Sequence, residues 1–205
     1  MEEQKAQPVD PKQRIMEAAE KLFADKGFDA VSIREIADQA QVNSAMLYYY
    51  FGSKLELFRA VIEYSLNELS VFLKTLIQEA QDPVEQLKCY LKGYVKFFIQ
   101  NPKTGFIINR IINFKDSDIF AVFDHYWIEQ HWILDGILQA GIEAGVFRPF
   151  DTRLASVNLR SSIITYVNWG HVFNRYPGVQ DHRNFCDDRL ADEMIDQFLN
   201  GVLDK

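Results

Sequence analysis

Apolar residues recur every three to four positions along nearly the whole chain. No segment alternates with period two between turn residues, so the pattern predicts an all-α protein without a sheet. Asp10-Pro11 opens the first helix, with Asp10 as N-cap, Pro11 in the first turn and Gln13 completing a capping box. Ile15, Ala18, Ala19, Leu22 and Phe23 form its apolar stripe, and Gly27 ends it. Ser32-Ile33-Arg34-Glu35 is a second capping box, opening a short helix with Ile33, Ile36, Ala37 and Ala40 on one side. Asn43 caps a third helix that ends near Phe51. Ser53-Lys54-Leu55-Glu56 opens a long fourth helix to about Ala80, and Asp82-Pro83-Val84-Glu85 a fifth to about Gln100. Beyond the Asn101-Pro102 break, helices over 103–114, 117–144, 152–175 and 187–203 bring the number to about nine. Residues 145–150 and 177–186 read as loops.

The pattern changes near Ser53. Before it the helices are short and tightly spaced; after it they are long. Of 28 aromatic residues, 21 lie beyond residue 60, which suits a bundle around a cavity and suits a solid core equally. The expected organisation is a disordered tail over 1–9, a small three-helix domain over 10–53, and a larger helical domain over 54–205. The fourth helix begins the larger domain and joins the two.

Composition excludes several classes. With 48% hydrophobic and 25% charged residues the chain is not disordered as a whole. The longest apolar runs, such as 119–123, are far too short to span a bilayer. Residues 1–10 are polar and lack a signal-peptide core, so a cytoplasmic protein without membrane attachment is expected. Cys89 and Cys186 stand far apart with no CxxC partner and read as reduced thiols. A net charge of −7 argues against a generally basic nucleic-acid coat protein, but a local DNA-reading patch is compatible with it.

The helices at 33–40 and 44–51, joined by about three residues, have helix-turn-helix spacing. Ala37 is small where the two would cross, and Ile36, Ala40, Val42 and Leu47 turn inward against Leu22 and Phe23. That leaves Arg34, Asn43, Ser44, Ala45, Met46, Tyr48 and Tyr49 outside, while Tyr50 and Phe51 are expected in the core. Spacing alone equally fits a purely structural helix pair.

The residues are more specific. Residues 14–58 resemble the N-terminal domain of TetR-family transcriptional regulators. The match runs through Ile15-Met16-Glu17-Ala18-Ala19, Leu22-Phe23, Gly27-Phe28, Ser32-Ile33-Arg34-Glu35-Ile36-Ala37 and Val42-Asn43. It continues through Leu47-Tyr48-Tyr49-Tyr50-Phe51-Gly52-Ser53-Lys54 to Glu56-Leu57. Two positions depart: Gln41 and Ala45 stand where the family often has glycine. A left-handed Gln41 would cost on the order of 1 kcal/mol. The resemblance implies a dimeric DNA-binding regulator, by family precedent a repressor, which meets a palindromic operator and is released by a small effector.

Position then suggests roles. Ser32, Tyr48 and Lys54 would meet phosphates, and Arg34 could reach a guanine edge with its bidentate fork. Asn43, Ser44, Ala45 and Tyr49 lie at the start or on the outer side of the recognition helix. The last two helices would form the subunit interface, with Asn158, Ser161, Thr165 and Asn168 as a stripe of small polar residues. The bundle would hold an apolar or aromatic effector. Tyr94, Phe97, Phe98, Phe106, Phe123 and Trp127 are candidates for its wall; Asn109, Arg110, Asn113, His131, Asn168 and His171 are candidates for its polar contacts.

Other chemistry has little behind it. His125/Glu129 and His131/Asp135 have metal-compatible i, i+4 spacing but no evident third ligand, so no metal or other cofactor is expected. No GxSxG, P-loop or HExxH motif occurs, and an enzyme is not expected.

Overall fold

The computed structural model describes residues 10–111, 117–173 and 188–202. The described residues form nine helices and no strand. In order they are α1 (Pro11–Lys26), α2 (Ile33–Ala40), α3 (Ser44–Phe51), α4 (Lys54–Gln78), α5 (Pro83–Gln100), α6 (Pro102–Ile111), α7 (Ser117–Glu143), α8 (Thr152–Phe173) and α9 (Asp188–Val202). The expected tail over 1–9 and the loop over 177–186 lie outside the described residues. The chain forms two compact units divided within α4, between Tyr64 and Ser65.

The caps lie where the sequence puts them. Asp10 accepts from the Lys12 N–H, Ser32 from Glu35, Asn43 from Ala45, Ser53 from Glu56, and Asp82 from both Val84 and Glu85. Each satisfies orphan donors of a first turn. One capping box departs from expectation: the Gln13 amide donates to Glu17 one turn on.

In the first unit Ile15, Ala19, Leu22 and Phe23 of α1 pack with Ile36, Ala37, Ala40 and Leu47. Phe23, Phe28 and Phe58 form an aromatic cluster with centroids 4.8–5.9 Å apart. Val42 is only half-buried. Tyr50 and Phe51 are half-buried as well, not the core residues expected. They fall in the last turn of an eight-residue helix whose one fully buried residue is Leu47, so the unit has room for little more of α3. The turn is settled too: Gln41 is left-handed, with φ 55° and ψ 47°.

The second unit is built on α5, whose Leu87, Tyr90, Leu91, Tyr94, Phe97 and Phe98 are all buried. Leu134 and Leu138 of α7 and Ile163 of α8 complete a continuous apolar core. Glu129 on α7 accepts from the Ser70 hydroxyl at 2.6 Å and pairs with Lys74, tying α7 to the later turns of α4. Gly141 lets α7 pass directly against the Phe147 ring.

Candidate functional site

The helix pair α2–α3 presents five of the seven residues expected on its outer face. Arg34, Asn43, Ala45, Tyr48 and Tyr49 are exposed; Ser44 and Met46 are half-buried. Tyr49 is 83% exposed and Tyr48 56%, unusual for aromatics of a compact domain. Ser32 and Asn43 occupy helix N-caps, so their positions carry backbone donors that can meet phosphate oxygens. Glu35 is held by the Lys26 side chain, which lowers its pKa together with the Ser32 backbone N–H and outweighs the opposing effect of desolvation. That contact fixes α2 against the end of α1.

Lys54 is the first residue of α4, as the phosphate role requires, but its ammonium rests 4.3 Å above the centre of the Phe28 ring. Burial there pulls its pKa down, with Asp29 acting the other way. To reach a phosphate it must leave that ring.

The second unit contains a small cavity lined by Leu66, Leu69, Tyr94, Ile108, Phe123, Tyr126, Trp127, Gln130, Arg160 and Ile164. The whole concavity with its mouth spans about 310 Å³, but only about 20 Å³ admits the centre of a water-sized sphere. That smaller figure is room for about one water.

Of the aromatic candidates the cavity brings together Tyr94, Phe123 and Trp127. It does not bring in Phe97, Phe98 or Phe106. Phe98 is completely buried against Tyr94, and Phe97 meets Phe72 at a tilt and Phe98 edge-to-face. His131 is also outside, its Nδ1 2.8 Å from the Ser156 hydroxyl. Asn109, Arg110, Asn168 and His171 lie outside the described side chains, and Asn113 outside the described residues. The i, i+4 pairs have other partners: Glu129 is engaged by Ser70 and Lys74, and Asp135 accepts from Gln139.

Seven of the lining residues were not among the candidates, and of these Gln130 and Arg160 carry the strongest polar groups. Arg160 is completely buried. Its Nη1 donates to the Trp127 carbonyl at 3.1 Å, and the guanidinium lies 4.1 Å from the Trp127 ring centre. The Tyr90 hydroxyl sits 3.4 Å from the Gln130 side-chain and backbone oxygens. Burial pushes the Tyr90 and Tyr94 phenols up from the usual tyrosine range, with Arg160 pulling both back. A signal for Arg160 did exist. Ser156, Leu159, Arg160, Ile163 and Ile164 follow i, i+3, i+4, i+7, i+8, so the arginine falls within a buried stripe.

An exposed second helix on a short helix pair, and a long-helix unit with its own cavity, define the helix-turn-helix class of regulators. Residues 15–61 match the profile of bacterial regulatory proteins of the tetR family, and residues 80–172 that of the tetracyclin repressor-like C-terminal domain. The chain is 31% identical over 153 residues to the HTH-type transcriptional repressor NicS of Pseudomonas putida, covering 70% of this chain and 69% of that one. It is 26% identical to the transcriptional repressor KstR2 of Mycolicibacterium smegmatis over 80% of this chain and 81% of the other. In three dimensions it is similar to the transcriptional regulator FadR of Bacillus subtilis, solved in complex with stearoyl-CoA. There the TM-score is 0.76 at 19% identity, over 92% of this chain and 98% of FadR. The chain belongs to the TetR family of transcriptional regulators. Among the described residues no helix is long and apolar enough to cross a membrane.

Proposed function

We propose that this protein is a ligand-responsive repressor that binds a palindromic operator as a homodimer and is released by a small, largely apolar or aromatic effector. The observation that carries the DNA-reading half is the outward face of α3, where Tyr48 and Tyr49 are exposed. In this reading residues 10–53 read DNA, and residues 54–205 bind effector and hold the dimer. Ser32, Tyr48 and Lys54 position the protein on phosphates; Arg34, Asn43, Ser44, Ala45 and Tyr49 face bases. Two recognition helices are needed because residues 1–60 hold 8 basic and 10 acidic side chains, too few cations for one copy to bind tightly.

The effector is smaller than the stearoyl-CoA of FadR. What supports this is the narrowness of the cavity and its lining by Tyr94, Phe123 and Trp127. The cavity takes polar direction from Gln130 and Arg160. Coupling would travel along α4, whose residues belong to both units. A displacement of α4 on effector binding would spoil the spacing of the two recognition helices.

The acidic balance of the first unit favours one competing reading, a ligand-binding protein of this fold that no longer reads an operator. A gel shift against the DNA flanking its own gene separates the two. Saturable binding that survives excess random DNA supports the repressor; no specific shift at any low salt concentration leaves only the ligand-binding protein. A hundredfold release by effector requires about 2.7 kcal/mol of coupling, and operator must then weaken effector binding equally.

A further inference from the structure

The guanidinium of Arg160 is buried, and among the described residues it has no counter-ion. The Tyr90 hydroxyl lies close enough to interact with the guanidinium, but among the described residues neither Nε nor Nη2 has a partner in good hydrogen-bond geometry. Leaving a charged group desolvated and half-satisfied is destabilising, so such an arrangement calls for a reason. The geometry supplies one. Nη1 is occupied by the Trp127 carbonyl, and the ring of Trp127 covers the guanidinium at 4.1 Å. The two unpartnered nitrogens, Nε and Nη2, share one edge of the planar group. Their N–H bonds run parallel, and that edge is the fork that donates to both oxygens of a carboxylate. Arg160 lines the cavity, among Phe123, Tyr126, Tyr94 and Ile164. Beside it the Gln130 amide nitrogen is also buried and unpartnered, a further donor for an anionic oxygen.

We infer that the effector is an acid: a small aromatic or apolar carboxylate whose two oxygens take the Nε–Nη2 edge of Arg160 while its ring lies among Phe123, Tyr126 and Trp127. The inference rests on the reading of this unit as an effector pocket, and it adds the charge and orientation of the ligand. A neutral aromatic would leave the guanidinium edge unmatched and remove it further from water. An acid satisfies both nitrogens at once and neutralises the buried charge. The narrowness of the cavity favours one or two rings over a long chain. No covalent step is involved.

The test uses the full-length chain and three acid–amide pairs: benzoate with benzamide, phenylacetate with phenylacetamide, and 2-naphthoate with 2-naphthamide. Binding is followed by calorimetry and by Trp fluorescence. At least one acid is expected to bind about tenfold or more tighter than its own amide, because the ring is shared and only the charged oxygens differ. Arg160→Gln is expected to bring acid and amide to within about threefold of each other, while Arg160→Lys keeps part of the preference. Acids and amides binding alike to the unaltered chain would overturn the inference and leave the effector pocket standing. A preference that persists in Arg160→Gln would also overturn it, since the anion would then sit elsewhere. If no acid and no amide binds, the pocket reading falls and the inference with it. Should Arg160→Gln fail to fold, the acid–amide comparison on the unaltered chain decides alone.

Discussion

Gln41 ends α2 in a left-handed conformation that side chains other than glycine and asparagine adopt at a cost. The residue is exposed, so nothing packs against its side chain to offset that cost. Gln41→Gly should therefore stabilise the protein by about 0.5–1 kcal/mol, the relief of strain less the extra freedom glycine gains when unfolded. Urea unfolding followed by circular dichroism measures it, and a midpoint that falls would contradict the strain argument. Two helical glycines give the opposite contrast. A Cβ at Gly141 would lie 2.1 Å from Phe147 Cδ2 and 2.2 Å from Cε2, and that ring is buried. At Gly93 the nearest atoms are the methyl ends of Leu76 at 2.6 Å and Leu73 at 3.0 Å, which can rotate away. Alanine gains about 1 kcal/mol of helix propensity at either site. We expect Gly141→Ala to lose about 1–2 kcal/mol net and Gly93→Ala to stay within about 0.5 kcal/mol of zero. Equal midpoints for the two variants would count against the close α7–Phe147 contact.

The contact of α4 with α7 through Glu129 depends on pH. Burial raises the pKa of Glu129, but hydrogen bonds from Lys74 and Ser70 and the charges of Lys74 and His125 outweigh it, and the net shift is downward. A depressed carboxylate contributes stability that is present above its unfolded pKa, near 4.3, and is lost as pH falls through the folded value. Glu129→Gln should therefore lower the melting temperature at pH 7, and the difference from the parent should shrink as pH falls below the unfolded value and vanish below the depressed folded one. A constant difference across that range would show that packing, not charge, is lost. The helices could be read because their starts are local: Ser32, Asn43, Ser53 and Asp82 bond within three residues, and the sequence alone displays that geometry. The outward face of α3 followed from the same periodicity. The cavity did not, because aromatics at helical spacing look identical whether they line a void or fill a core. Phe97 and Phe98 turned out to fill it, while Phe123 and Trp127 line it. Arg160 was passed over because an arginine on a helix is ordinarily solvated, although its register placed it among buried neighbours.

For the whole molecule the proposed dimer makes two claims. The exposed Leu154, Asn158, Ser161 and Thr165 of α8 offer a face for a second copy, with α9, which packs on α5, as the second proposed interface helix. Sedimentation should give a dimer, and a chain truncated after Phe173 should sediment as a monomer or aggregate and lose specific DNA binding. A full-length monomer that still binds operator tightly would contradict this. On DNA, Tyr48→Phe and Lys54→Ala should weaken binding to operator and random sequence alike, with Lys54→Ala lowering the salt slope by about 1 per contact. Arg34→Ala or Ser44→Ala should instead change which bases matter, at about 1–3 kcal/mol per lost contact. An unchanged salt slope for Lys54→Ala would leave its ammonium on Phe28 in the complex as in the free chain.

If this cavity is the effector site, room for about one water also sets the kinetics of the proposed release. A ring cannot enter until side chains such as Phe123 and Trp127 swing aside, so ligand meets only the fraction of molecules already open. If that fraction is about one in a hundred, the apparent affinity is a hundredfold poorer than the contacts themselves would give. The observed association rate should then level off as ligand concentration rises, at the rate of opening. Substitutions that enlarge the resting cavity would sharpen sensitivity to inducer without adding a single contact, and a gene under this protein's control would respond at lower doses.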